Sequence, residues 1–436
     1  MPRHERLPPR TLPVVYFAFA HLSLILAFGL LATQPALGGF FYSPRFVAAV
    51  HLVTLGWITA SILGATYIVG PLALRTTVRS GWIDGFACAF TVAGAAGVVA
   101  HFWMARFWRP DEGGTYWGVA SSGAVLLLGA LVVGVRAWRG LASGGAPAAV
   151  RAHVALAYGN LLLAGAWGVL LAVNRETTVV SWGGQLPNVY AHAHTAALGW
   201  GTLMVAGVGY RLLPMLLPAA PPSGRVLWVS AALFEVGALG LGVTLALRHP
   251  WAKAFAVVAA GAVALFLALV LRMRLQPRPP PTKLRKPDWG VLHAVQALVY
   301  LAIATTLGLR LAFGGVATSE AMMVYGVCGL LGFLAQAVIG VGMRLLPMFS
   351  WTEAWAGGGY AETPARSPHA MSARPLQAAT FLCWTAGVPA LAFGLGGGGE
   401  AWTAGGAWTL LAGTVLAGAN AFLVVRHAYR RPAGTR

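Results

Sequence analysis

Residues 192–215 read HAHTAALGWGTLMVAGVGYRLLPM. Apart from the two histidines and one arginine, the stretch carries no side chain that takes a charge near neutrality. As a helix rising about 1.5 Å per residue it is long enough to cross a hydrocarbon layer of about 30 Å. The rest of the chain has the same character. Hydrophobic residues are 58% of the 436 and charged residues 9%, which leaves too little polar surface to clothe a water-soluble fold. Apolar runs recur at 13–33, 46–72, 84–104, 117–137, 152–173, 190–217, 225–247, 251–273, 290–312, 322–346, 376–397 and 402–428. They predict an all-α polytopic membrane protein of about twelve spanning helices, with the lipid bilayer as its main solvent.

The stretch also has copies. Helix 2 reads His51, then Leu55, Gly56, Trp57, Gly64, Tyr67 and Pro71; helix 6 reads His194, then Leu198, Gly199, Trp200, Gly207, Tyr210 and Pro214. Helix 10 continues the frame from Val327 through Leu331, Gly332, Phe333, Gly340, Met343 and Pro347, and helices 5 and 9 align so that His153 falls over His293. A single membrane domain of three four-helix pseudo-repeats follows, over 13–138, 152–273 and 290–428. The linkers 139–151 and 274–289 are basic and rich in Pro and Gly, as loops are.

The net charge of +19 does not signal nucleic acid, because the basic residues lie in short segments between apolar runs. Of the 30 Lys and Arg, only Arg45, Arg106, Arg109, Arg175, Arg248, Lys253 and Arg310 fall on one side of the membrane. The others, among them Arg75, Arg79, Arg136, Arg139, Arg151 and Lys283, fall on the other side. Positive charge stays inside, so both termini are expected in the cytoplasm, which needs an even number of helices. The first run follows Arg3, Arg6 and Arg10 but lacks a small-x-small cleavage site, so it is read as a retained helix. Cys88, Cys328 and Cys383 lie in apolar runs without C-x-x-C spacing and read as buried core residues.

Histidines at membrane depth need a partner, and an imidazole can ligate a metal or haem iron there. His51 and His194 occupy one position of two repeats and therefore one depth, in the outer third of the membrane. That is the requirement for a haem held axially between helices 2 and 6. In His192-x-His194, residues two apart on a helix point about 200° from one another, so the pair faces different neighbours. Symmetry assigns His194 to the His51 site and His192 to a second cavity. His101, in the stretch HFWMARFW (101–108), lies at the same depth and is a further metal candidate beside an aromatic belt. His21 stands inside helix 1 without a repeat counterpart, a candidate ligand or quinone contact. His153 and His293 open their helices at the cytoplasmic face and read as structural, while His4, His249, His369 and His427 fall in loops or termini. Glu235 is the one acid at mid-membrane, a candidate proton relay or a partner for a neighbouring helix. Arg45, Arg106, Arg109 and Arg175 flank the histidines, where guanidinium groups match haem propionates.

These residues carry a resemblance. The 192–215 stretch with its H-x-H resembles the ligand-bearing helix of haem-copper oxidase subunit I, most closely in the cbb-type branch. A lone helix-2 histidine, twelve helices and cytoplasmic termini also resemble that superfamily, and the NnrS-type haem- and copper-containing membrane proteins are a second likeness. The resemblance implies a low-spin haem on His51 and His194 and a high-spin haem ligand in His192. It further implies a bacterial-type inner membrane, a quinol or cytochrome redox partner, and leaves companion subunits open. The departures are plain. The family places its H-x-H on helix 10, where this chain has Tyr325 and Val327, and its copper ligands on helices 6 and 7, whereas helix 7 here contains no histidine.

The leading expectation is thus a haem b protein of oxidase-like architecture, for electron transfer or for oxygen- or nitric oxide-related chemistry. Two other readings stay open: a copper-handling or copper-sensing protein using His51, His192, His194 and His101, and a transporter with Glu235 on its path.

Overall fold

The computed structural model describes residues 8–76, 80–105, 115–179, 181–279, 286–314, 317–356 and 367–429. Twelve of its helices are long and apolar enough to span a bilayer. They are α1 (Leu12–Thr33), α2 (Pro44–Leu72), α3 (Trp82–Met104), α4 (Thr115–Ala142), α5 (Ala148–Glu176) and α6 (Gln185–Leu216), followed by α7 (Arg225–Ala246), α8 (Ala252–Leu275), α9 (Trp289–Gly314), α10 (Ser319–Ala354), α11 (Arg374–Gly398) and α12 (Glu400–Tyr429). The chain is an all-α, multi-pass membrane protein.

Local signals set the helix starts. Ser43 precedes Pro44, and its hydroxyl accepts the Phe46 amide at 3.4 Å, while Thr318 accepts the Ala321 amide at 3.2 Å. Both satisfy a first-turn N–H that has no partner within the helix. The clearest departure from the sequence expectation is the end of α10, which runs past 346 to Ala354. Proline reads as a stop signal, yet Pro71, Pro214 and Pro347 all lie inside helices. Within an apolar bundle, neighbouring groups re-satisfy the carbonyl that proline frees.

The helices α2, α6 and α10 are the most buried. Each contains a π-helical stretch at the same place in its sequence: Leu52–Thr59, Thr195–Thr202 and Val327–Ala335. Each is also met by its predecessor in the same way. A Cβ added at Gly56, Gly199 or Gly332 would collide with Ser23, Asn160 or Tyr300 respectively. Two turns on, Gly64, Gly207 and Gly340 meet Tyr16, His153 and His293. The three pairs α1/α2, α5/α6 and α9/α10 thus pack through one register, and it puts His153 and His293 at the same place.

Where the inner helices meet, aromatic side chains stitch each to the next. Trp57 Nε1 donates to Ala335 O on α10 at 3.3 Å, and Trp200 Nε1 donates to Thr59 Oγ1 on α2 at 3.1 Å. Phe333 holds the third equivalent position, and its neighbour Leu334 packs on Gly201 of α6. At the other end of the bundle Asp84, fully buried, ties three helices together. It accepts from Tyr67 Oη of α2 at 3.0 Å and from the Gly81 amide at 2.7 Å, and pairs with Arg136 of α4 at 2.7 Å. Arg10 donates to Ala428 O, and Tyr429 Oη donates to Arg10 O at 2.9 Å, so the first and last helices close the bundle at that same end.

Candidate histidine site

The histidines of interest lie at the opposite end. His51 and His194 are each the last residue before a π-helical stretch, a feature found frequently at functional sites. Both use Nδ1 in the same way, on the carbonyl four residues back: His51 on Val47 O and His194 on Tyr190 O, each at 2.8 Å. His101 does likewise on Gly97 O at 2.7 Å. His192 reaches across to α5 and bonds Ala164 O at 3.0 Å. A carbonyl only accepts, so in each ring Nδ1 carries the proton and Nε2 presents its lone pair. This is the tautomer of a metal- or haem-ligating histidine, oriented by a carbonyl on its other nitrogen.

The four Nε2 atoms do not face one point. His194 Nε2 lies 3.2 Å from Tyr325 Oη on α10, with the two rings stacked 5.9 Å apart at 24°. The His51 ring stacks on Phe102 of α3 at 5.1 Å. Among the described residues no hydrogen bond is made to Nε2 of His51 or His192. The His192 ring lies over Gly168 of α5, where an added Cβ would sit 3.0 Å from its Cε1.

Rotational repeat symmetry explains this pairing. In a cyclic arrangement, a position on one unit meets a different position on the next, rather than its own copy. Tyr325 is the repeat counterpart of His192, and His194 that of His51. The α6/α10 contact, His194 with Tyr325, is therefore the same relationship as His51 with His192 at α2/α6. At the third interface the equivalent residues are Val327 and Ala49, which have no donor. The sequence expectation pairs His51 with His194, and the repeat relationship offers His192 as the alternative α6 partner.

His101 stands apart. Its ring is pressed against Gly118 of α4, where an added Cβ would collide with it, and Ser122 Oγ is 3.3 Å from its Nδ1. No three His, Cys, Asp or Glu side chains among the described residues come together to hold one metal ion. The set His51, His194 and His101 is thus not assembled as a direct copper site.

Glu235 Oε2 accepts from Asn160 Nδ2 at 2.7 Å, joining α7 to α5 beside Gly199 of α6. Arg45 lies over the Trp103 ring at 5.4 Å and Arg175 over the Tyr116 ring at 5.1 Å, both at the histidine end. Arg106 and Arg109 lie outside the described residues, as do Arg3, Arg6, Arg79, Lys283 and His4. His21 bonds Phe17 O at 2.8 Å and meets Trp57 edge-on at 5.0 Å, in a small cavity between α1, α10 and α12. His153, fully buried, bonds Ala149 O at 2.7 Å and Ser230 Oγ at 3.2 Å. His293 is buried beside Gln336 at 3.3 Å.

No protein-family model matches the chain, and no curated protein matches it. A solved structure does: a cryo-EM structure of a haem-copper terminal oxidase dimer, at 14% identity and a TM-score of 0.58, over 96% of this chain and 86% of that one. The chain has the twelve-helix fold of haem-copper oxidase subunit I.

Proposed function

We propose that this chain is a membrane haem protein on the haem-copper oxidase fold, holding one haem b between α2 and α6 with His51 and His192 as axial ligands. One observation carries the reading: both imidazoles are locked by carbonyls into the tautomer that offers Nε2, and both Nε2 atoms are without a hydrogen bond among the described residues. A haem bound there would supply a one-electron couple, and two axial histidines suit it to electron transfer rather than to substrate activation. Gly168 leaves the His192 ring room to lie flat against α5. Arg45 and Arg175, at the histidine end of the bundle, would be available to pair with haem propionates. Glu235 could take a proton on Oε1 while Oε2 keeps its bond from Asn160.

The bias of basic residues supports termini in the cytoplasm and histidines near the outer face, and the oxidase likeness supports a bacterial-type inner membrane. A quinol or a cytochrome at that face would exchange the electron. The cbb-type and NnrS-type likenesses both fit this reading. Direct copper handling is less favoured, since a third donor is not brought to the pair. The test is the absorption spectrum of protein purified from haem-replete cells, oxidised and reduced, with the haem extracted and counted. A Soret band, a sharp reduced α band and one haem b per chain are expected. Colourless protein overturns the reading.

A further inference from the structure

The three inner helices, with side chains from four outer ones, line a cavity of about 130 Å³ on the side of the Trp57, Trp200 and Phe333 layer away from the paired histidines. Its wall follows the repeat. Ile62, Val205 and Val338 hold one equivalent position of α2, α6 and α10, and Val69, Leu212 and Leu345 hold another two turns along. The cavity therefore lies on the pseudo-threefold axis, lined by the same face of each inner helix. Two hydroxyl groups reach it. Thr66 is spent on Ile62 O at 2.9 Å and on Tyr158 Oη at 2.6 Å. Ser61, 1% exposed, has an Oγ without a partner among the described residues.

A buried water needs at least two polar partners, and one free hydroxyl cannot hold a water there. An engineered apolar cavity of about 150 Å³ stays dry and takes up benzene or xenon, and this one is of similar size. The geometry points to an axial binding site for a small apolar molecule of the size class of xenon or a dissolved gas. The inference does not depend on the haem reading, because no proposed ligand lines the cavity.

The repeat supplies its own filling substitutions. Ala337 corresponds to Met204 and Ala65 to Val208, so Ala337→Met and Ala65→Val each import a residue already accepted at the same place in a sister helix. Crystals of the full chain pressurised with xenon are expected to show an anomalous peak between Ile62, Val205 and Val338. The peak should weaken several-fold in Ala65→Val and vanish in Ala337→Met. Should Ala337→Met fail to fold, the smaller Ala65→Val still decides the question. An empty axial cavity in the wild type overturns the proposal. So does a peak undiminished in the filled variants, or elongated density running from the cavity to the bilayer, which would mark an acyl chain.

Discussion

Tyr325 Oη stands 3.2 Å from His194 Nε2, and by the repeat His192 holds towards His51 the position that Tyr325 holds towards His194. The histidine end of the bundle therefore holds one motif in three states of elaboration: a His–His pair between α2 and α6, a His–Tyr pair between α6 and α10, and an apolar pair, Val327 with Ala49, between α10 and α2. Only the first presents two free lone pairs. On the reading proposed above, the residues at these two repeat positions decide which interface can bind an iron.

The variants that separate the pairings follow directly. His51→Ala and His192→Ala should each cut haem content at least tenfold, read as haem per chain after purification, with helical content and thermal midpoint showing that the protein still folds. His194→Ala should keep its haem and its Soret position. Loss in His194→Ala with retention in His192→Ala would restore a pairing of equal repeat positions and remove the head-to-tail one.

Tyr325→Phe removes a single buried hydroxyl and leaves the stacked ring. The bond lost is neutral, so the cost should be about 0.5–1.5 kcal/mol, seen as a small fall in the thermal midpoint. The haem spectrum should not move, because the bond belongs to the α6/α10 interface. A spectral change equal to that of a ligand variant would place the haem there instead.

Much of this architecture was legible in the residues. Twelve apolar runs mark the helices, and a shared spacing, G-W with Y-x-x-x-P in two helices and G-F with M-x-x-x-P in the third, marks the three that lie innermost. Which histidine faces His51 is less legible, because a mirror would pair equal repeat positions, His51 with His194, whereas a rotation pairs unequal ones and offers His192. Tyr325 was visible as the counterpart of His192, but nothing in one sequence says that a tyrosine and a histidine on distant helices share a hydrogen bond. Asp84 was hidden for another reason. At the start of an apolar run it looks like an interfacial charge, and only packing shows that Arg136 and Tyr67 converge on it.

Asp84→Asn should be the most destabilising of these conservative changes. It keeps the shape but leaves the Arg136 cation without its counter-charge at a carboxylate position that is 0% exposed. Breaking a buried pair costs about 3–5 kcal/mol, and the 30% exposure of the Arg136 side chain puts this case at the lower end. Thermal unfolding in detergent measures it. The double variant Asp84→Asn with Arg136→Met should recover part of the loss, which a purely steric effect of the asparagine would not allow.

Gly168 offers a way to move a ligand without deleting it. A Cβ there would come within 3.0 Å of His192 Cε1, closer than carbon atoms comfortably approach, so the imidazole must shift by a few tenths of an ångström. The donor nitrogen and its bond to Ala164 O remain. Gly168→Ala should therefore retain haem while changing the relative orientation of the axial rings, read as altered g-values of the low-spin ferric signal. Gly118→Ala is the matched control. It crowds His101 rather than His192, so it should leave those g-values unchanged while costing at least as much stability. If Gly118→Ala shifts the signal and Gly168→Ala does not, His101 rather than His192 is the second ligand to the iron.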